Sequence, residues 1–127
     1  MVGFMNARTL ILSAALAAAS PAFADAVAGQ KVFKSDCAVC HAVTSGTNKV
    51  GPSLYGVVGR PAASAAGYKY SAAMTNSGLT WSAAELPTYL AAPGKTVPGT
   101  KMTYGGVKDA TKRADVVAYL GTLTDNK

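Results

Sequence analysis

The 127-residue chain holds only two cysteines and a single histidine. That leaves at most one disulfide, and it excludes a structural zinc site, which needs four Cys or His ligands. Acidic residues are also few: six Asp and Glu stand against 12 Lys and Arg, for a formal charge of +6. No apolar run reaches the length of about 20 residues that a membrane-spanning helix requires. No stretch alternates apolar and polar residues in the manner of a half-buried strand. Internal repeats, low-complexity tracts and a run of basic residues are missing as well, and the dispersed lysines do not form a polybasic nucleic-acid patch.

The cysteines and the histidine that are present stand together. Cys37, Ala38, Val39, Cys40 and His41 spell C-x-x-C-H, the spacing of covalent c-type haem attachment. On one helical turn, residues at i, i+3 and i+4 share a face. Both thiols can then form thioethers with haem vinyl groups while His41 binds the iron from the same side. A thioredoxin-like redox pair would need a βαβ pattern around the cysteines, and no β-rich run lies nearby.

The amino terminus indicates the compartment. Arg8 precedes an apolar stretch from Leu10 to Ala19, and Pro21-Ala22-Phe23-Ala24 supplies an A-x-A site before Asp25. These are the parts of a secretory signal peptide, so residues 1–24 are expected to be cleaved, leaving a domain of residues 25–127 in the bacterial periplasm. The alternative, an uncleaved anchor, is too short at about ten apolar residues. Loss of Arg8 lowers the formal charge by one, from +6 to +5. A domain of this size is marginal without help, and a buried haem would supply the missing apolar volume. Its basic charge suits an acidic protein partner, and export argues against nucleic acid.

Along that domain the pattern is all-α. A first helix is expected from Ala26 to Ala38, leading directly into the motif. Residues 44–66 contain Gly46, Gly51, Pro52, Gly56, Gly59 and Pro61 and read as loop, long for a compact domain unless it wraps a cofactor. A short helical turn fits Ser71 to Asn76. Ser82 and Glu85 form an S-x-x-E capping box opening a helix that ends before Pro93, with Pro87 placed to remove a backbone bond and tilt its axis. The last helix spans Asp109 to Leu123, with Val116, Val117, Leu120 and Leu123 on one apolar face.

The sixth position on the iron decides between electron transfer and catalysis. Beyond the leader there are two methionines, Met74 and Met102. Met74 falls in a helical turn and suits core packing. Met102 lies in a loop held by Pro98 and Gly99, far enough after His41 to reach the opposite haem face, and is the favoured ligand. Met/His ligation raises the reduction potential.

With both sites in view, residues 26–123 resemble a class I cytochrome c of the small, mitochondrial-like bacterial type. Gly29-Gln30-Lys31-Val32-Phe33 matches its G-x-x-x-F motif, and Arg113 to Leu120 matches its last helix. The resemblance implies the cytochrome c fold: three main helices plus short turns and long loops around one haem c, with Gly29 at the crossing of the first and last helices. It also implies that the Pro52 carbonyl bonds the His41 ring, that Arg60, Tyr70 and Trp81 surround a buried propionate, and that Tyr89 and Thr100 flank the Met102 sulfur. Met74 stands where the family commonly has Asn, a departure that alters the polar network near the haem.

The function implied is electron shuttling by Fe(III)/Fe(II) cycling, without catalysis. The donor would be a quinol:cytochrome c oxidoreductase, and the acceptor a terminal oxidase, reaction centre or reductase of a respiratory or related chain. Docking would use a haem edge ringed by Lys34, Lys49, Lys95 and Lys101, with Lys31 and Lys112 as further candidates. The carrier is expected to be a monomer without stable membrane insertion. Two other readings differ in partner or chemistry: a dedicated acceptor for one periplasmic dehydrogenase, and a haem enzyme or gas sensor with a labile sixth ligand.

Overall fold

The computed structural model describes residues 23–125, so residues 1–22 of the expected leader lie outside the described part. Five helices occur there: α1 Ala26–Asp36, α2 Ala72–Thr75, α3 Glu85–Ala91, α4 Pro93–Thr96 and α5 Ala110–Leu120. The one β feature among the described residues is an isolated antiparallel bridge between Pro61 and Thr80. The all-α reading therefore holds, with α1, α3 and α5 as the main helices.

Helix α1 starts where Asp25 caps it, its carboxylate accepting from the Val27 and Ala28 amides at 2.9 and 3.2 Å. It ends two residues earlier than the sequence suggests: Cys37 is its C-cap, and the next amide, that of Ala38, bonds Phe33 O at 2.9 Å and not Lys34 O. The motif follows on a separate turn. There the Cys37 carbonyl accepts from the Cys40 amide at 3.1 Å and the His41 amide at 2.9 Å, which preserves the i, i+3 and i+4 arrangement that haem attachment needs.

Helices α1 and α5 cross at Gly29. A Cβ there would sit 1.9 Å from the Asp115 carbonyl oxygen and 2.9 Å from the Val116 nitrogen, so only glycine permits this approach. Glycine inside a helix costs about 1 kcal/mol relative to Ala, and here the close packing offsets it. Phe33 and Tyr119 pack across the same junction with centroids 5.4 Å apart and ring planes tilted by 55°. Helix α5 ends at Leu120, with Gly121 as its C-cap, so Leu123 lies beyond the helix expected to include it; Val116 and Leu120 are buried, while Val117 and Leu123 are only partly so.

Ala84 is the N-cap of the next helix and makes no side-chain cap bond; two residues earlier, the Ser82 hydroxyl accepts from the Glu85 amide at 3.0 Å. Its own amide bonds Thr80 O instead of Glu85, so the capping box is half formed. Pro87 is the third residue of α3. The first four N–H groups of a helix have no intrahelical acceptor, so the proline removes no bond, contrary to the expectation that it would. Pro93 begins α4 as its N1 residue, a short element that the sequence pattern did not signal.

The long loop has partners for its backbone. Leu54 N bonds Ala42 O, Gly56 N bonds Leu123 O, Ala62 N bonds Leu79 O and Trp81 N bonds Arg60 O, all at 2.6–3.0 Å. These bonds fold residues 44–66 back over the helices. The buried side chains of Val57, Met74, Trp81, Leu86, Leu90, Val107, Val116 and Leu120 all line one cleft. The core is thus a shell around that cleft.

Candidate functional site

The cleft measures about 510 Å³, within the usual range for a ligand pocket of about 300–1,000 Å³. Its lining includes Cys37, Cys40, His41, Pro52, Arg60, Tyr70, Trp81, Tyr89, Thr100 and Met102. Every residue that the sequence assigned to haem binding therefore borders the same cavity.

His41 Nδ1 lies 2.7 Å from the Pro52 carbonyl oxygen. A carbonyl can only accept, so Nδ1 carries the proton and Nε2 keeps its lone pair for a metal. Burial lowers the pKa of His41, assisted by the charges of Lys49 and Arg60 and opposed by the Pro52 bond. The ring is thus held neutral, as a metal ligand must be. Gly51 adds a constraint that the sequence reading missed: a Cβ there would lie 2.4 Å from the ring carbon Cε1 and 2.7 Å from Nδ1. The Gly-Pro pair before the carbonyl was the available signal.

No disulfide joins Cys37 and Cys40, so both sulfurs are available for thioether bonds. Burial, with Asp36 and Cys40 nearby, pushes the Cys37 thiol up to about 11. Before attachment it is therefore a thiol and not a thiolate at neutral pH.

Arg60 donates through its two terminal nitrogens to the carbonyls of Tyr55 and Ser53, at 2.9 and 3.0 Å. Its Nε is buried with no partner among the described residues, and burial disfavours its charge. A half-buried cation with a buried, orphaned donor fits an anionic group such as a haem propionate. Tyr70 stands nearby with its oxygen accepting from the Ala65 amide at 3.0 Å, which leaves the phenol hydrogen to donate. Trp81 is 7% exposed and packs on Tyr89 at 4.7 Å between centroids.

The Tyr89 hydroxyl donates to Met102 Sδ at 3.3 Å, and burial raises its pKa, so it remains a donor. Thr100 Oγ1 accepts from the Met102 amide at 3.3 Å. A thioether has two lone pairs, and a bond from Tyr89 to one orients the other. Met74 also borders the cleft but is 8% exposed on α2 and belongs to the packed core.

The lysines named for docking are all exposed. Two of them also brace loops. Lys49 Nζ donates to Ala38 O at 2.6 Å, and Lys101 Nζ donates to Lys69 O at 2.5 Å while lying 5.5 Å from the Tyr68 ring centroid. A second missed pair, Asp36 and Tyr104, joins two walls of the cleft at 2.6 Å; 68 residues separate them, so no local pattern announced it.

An apolar cleft bordered by two thiols, a neutral imidazole, a thioether and an orphaned guanidinium donor is suited to one covalently held haem. The family model described as cytochrome c matches residues 26–124. Cytochrome c2 of Rhodopila globiformis is 52% identical over 99 residues, covering 78% of this chain and 93% of that protein. Cytochrome c of Guizotia abyssinica is 48% identical over 101 residues, covering 79% and 91%. The solved structure of cytochrome cH from Methylobacterium extorquens superposes with a TM-score of 0.73 at 49% identity, covering 77% of this chain and 98% of that one. The chain belongs to the cytochrome c family. It is a single-haem electron carrier with covalently bound haem c, not an enzyme.

Proposed function

We propose that Cys37 and Cys40 carry the thioether bonds, that His41 and Met102 are the axial ligands, and that Pro52, Arg60, Tyr70, Trp81, Tyr89 and Thr100 set the haem environment. The observation that carries this reading is the His41–Pro52 bond of 2.7 Å, which leaves one imidazole nitrogen free at the edge of the cleft. When bound, the haem supplies the Fe(III)/Fe(II) couple, and the protein tunes and orients it. Pro52 orients the imidazole, Tyr89 orients the thioether, Arg60 receives negative charge, and the apolar lining excludes water. With His41 and Met102 both holding the iron, no position on it would be open to oxygen or substrate.

The carrier works, on this reading, in the bacterial periplasm after removal of residues 1–24. It takes electrons from a quinol:cytochrome c oxidoreductase and passes them as a monomer to a terminal oxidase, reaction centre or reductase. Docking runs through exposed lysines, Lys34 and Lys95 foremost because their ammonium groups brace no loop among the described residues. Among the described residues no helix is long and apolar enough to cross a membrane.

The test is treatment of the purified protein with acidified acetone, followed by intact mass measurement. The colour should stay with the polypeptide, and the mass should equal residues 25–127 plus one haem. Extracted colour would contradict the thioethers, and a longer chain would contradict the leader.

A further inference from the structure

Asp115 is the one buried carboxylate among the described residues, 9% exposed. Charged groups buried this far are rarely left without a partner, yet its recorded bond is from a neutral group: the Asp25 amide donates to Asp115 Oδ1 at 2.8 Å. Asp25 is also the residue that follows the expected cleavage site.

We propose that leader removal creates the charged partner that Asp115 lacks among the described residues. The inference rests on the reading that the Ala24–Asp25 bond is cut. Hydrolysis of that bond by water leaves a carboxylate on Ala24 and converts the Asp25 amide nitrogen into an α-ammonium group. That nitrogen already lies within hydrogen-bond distance of Oδ1, and it gains two donors and a positive charge. The mature amino terminus then forms an ion pair that ties the start of α1 to α5, one turn from the Gly29 crossing.

Asp25 is well placed to hold this geometry. Its side chain caps the Val27 and Ala28 amides, and its carbonyl accepts from the Gly29 amide at 2.8 Å. A positive charge at a helix N-terminus is unfavourable against the macrodipole. Two carboxylates, that of Asp25 itself and that of Asp115, flank the ammonium and counter this. The precursor, whose nitrogen is an amide, lacks the ion pair, so processing strengthens the α1–α5 junction.

The experiment compares holoprotein of natural sequence with a form carrying Gly-Ser inserted between Ala24 and Asp25, each with and without Asp115→Asn. Intact mass first establishes where each chain begins; a natural chain that does not begin at Asp25 overturns the leader reading and the ion pair with it. Guanidinium unfolding at pH 7 then measures the pair separately. Asp115→Asn should lower the folding equilibrium constant about fivefold more in the natural form than in the inserted form, because hydrogen bonds to charged groups are stronger than neutral ones. Equal losses in chains of the correct mass would overturn the ion pair while leaving the leader reading intact. A second measurement needs no variant. The α-amino group of the natural protein should react with an acylating ester more slowly than that of a free Asp-Ala-Val peptide, and equal rates would also overturn the pair.

Discussion

The Tyr104 hydroxyl donates a 2.6 Å hydrogen bond to Asp36 Oδ2, fastening the Met102 segment to the residue before Cys37. The other carboxylate oxygen accepts from Ser35 Oγ at 2.6 Å. These bonds, Ser35 first and Tyr104 second, hold the Asp36 pKa below its ordinary value. One contact thus bridges the two walls of the haem cleft.

Replacing that phenol should loosen the Met102 loop. Tyr104→Phe is expected to cost about 0.5–1 kcal/mol, a small value because Asp36 is largely solvated. Imidazole should enter the ferric protein faster as Met102 is displaced more readily. A carboxylate with a depressed folded pKa contributes stability above its unfolded value of about 3.8, and that contribution is lost as pH falls through the folded pKa. The stability difference between wild type and Tyr104→Phe should therefore be present at pH 7 and shrink below about pH 4. Denaturant unfolding at both pH values checks this.

Gly29→Ala should be far more damaging. The added methyl would lie 1.9 Å from the Asp115 carbonyl oxygen, and backbone on both sides has no flexible end to yield. Helices α1 and α5 would have to separate, at a cost of about 3 kcal/mol or more. Unfolding midpoints of the two holoproteins measure it.

Much of this architecture is legible in the sequence because its signals are local. Cys37, Cys40 and His41 fall within five residues, and Val116, Val117 and Leu120 of the last helix lie at helical spacing. The assignments that strayed depend on details outside the period. Helix α1 stops at Asp36, with Cys37 as its C-cap, and Pro87 is harmless because it falls in the first turn. Gly51 against the imidazole and Tyr104 on Asp36 are tertiary contacts between loops, where no periodicity exists to reveal them.

Arg60 offers a test by potential. Its buried Nε has no described partner, and if a propionate meets it, the cation also disfavours the extra positive charge of ferric iron. Arg60→Gln should lower the reduction potential by about 40 mV, equivalent to about 1 kcal/mol for one electron. An unchanged potential, measured by redox titration, would remove Arg60 from the haem environment.

Docking can be separated from folding by choosing lysines that brace no loop among the described residues. Lys34→Glu with Lys95→Glu should slow second-order electron transfer to an acidic-faced partner and flatten its dependence on ionic strength, since steering between charges is screened beyond about 8 Å at physiological salt. The reduction potential should stay nearly constant. Unaltered rates at low salt would rule out these two lysines.

The most direct test of the central claim is the near-infrared absorption of the oxidised holoprotein, where a weak band reports methionine sulfur on ferric haem. Wild type and Met74→Ala should show the band, and Met102→Ala should lack it. A band that persists in Met102→Ala, or vanishes in Met74→Ala, would contradict the ligand set on which this account of electron transfer rests.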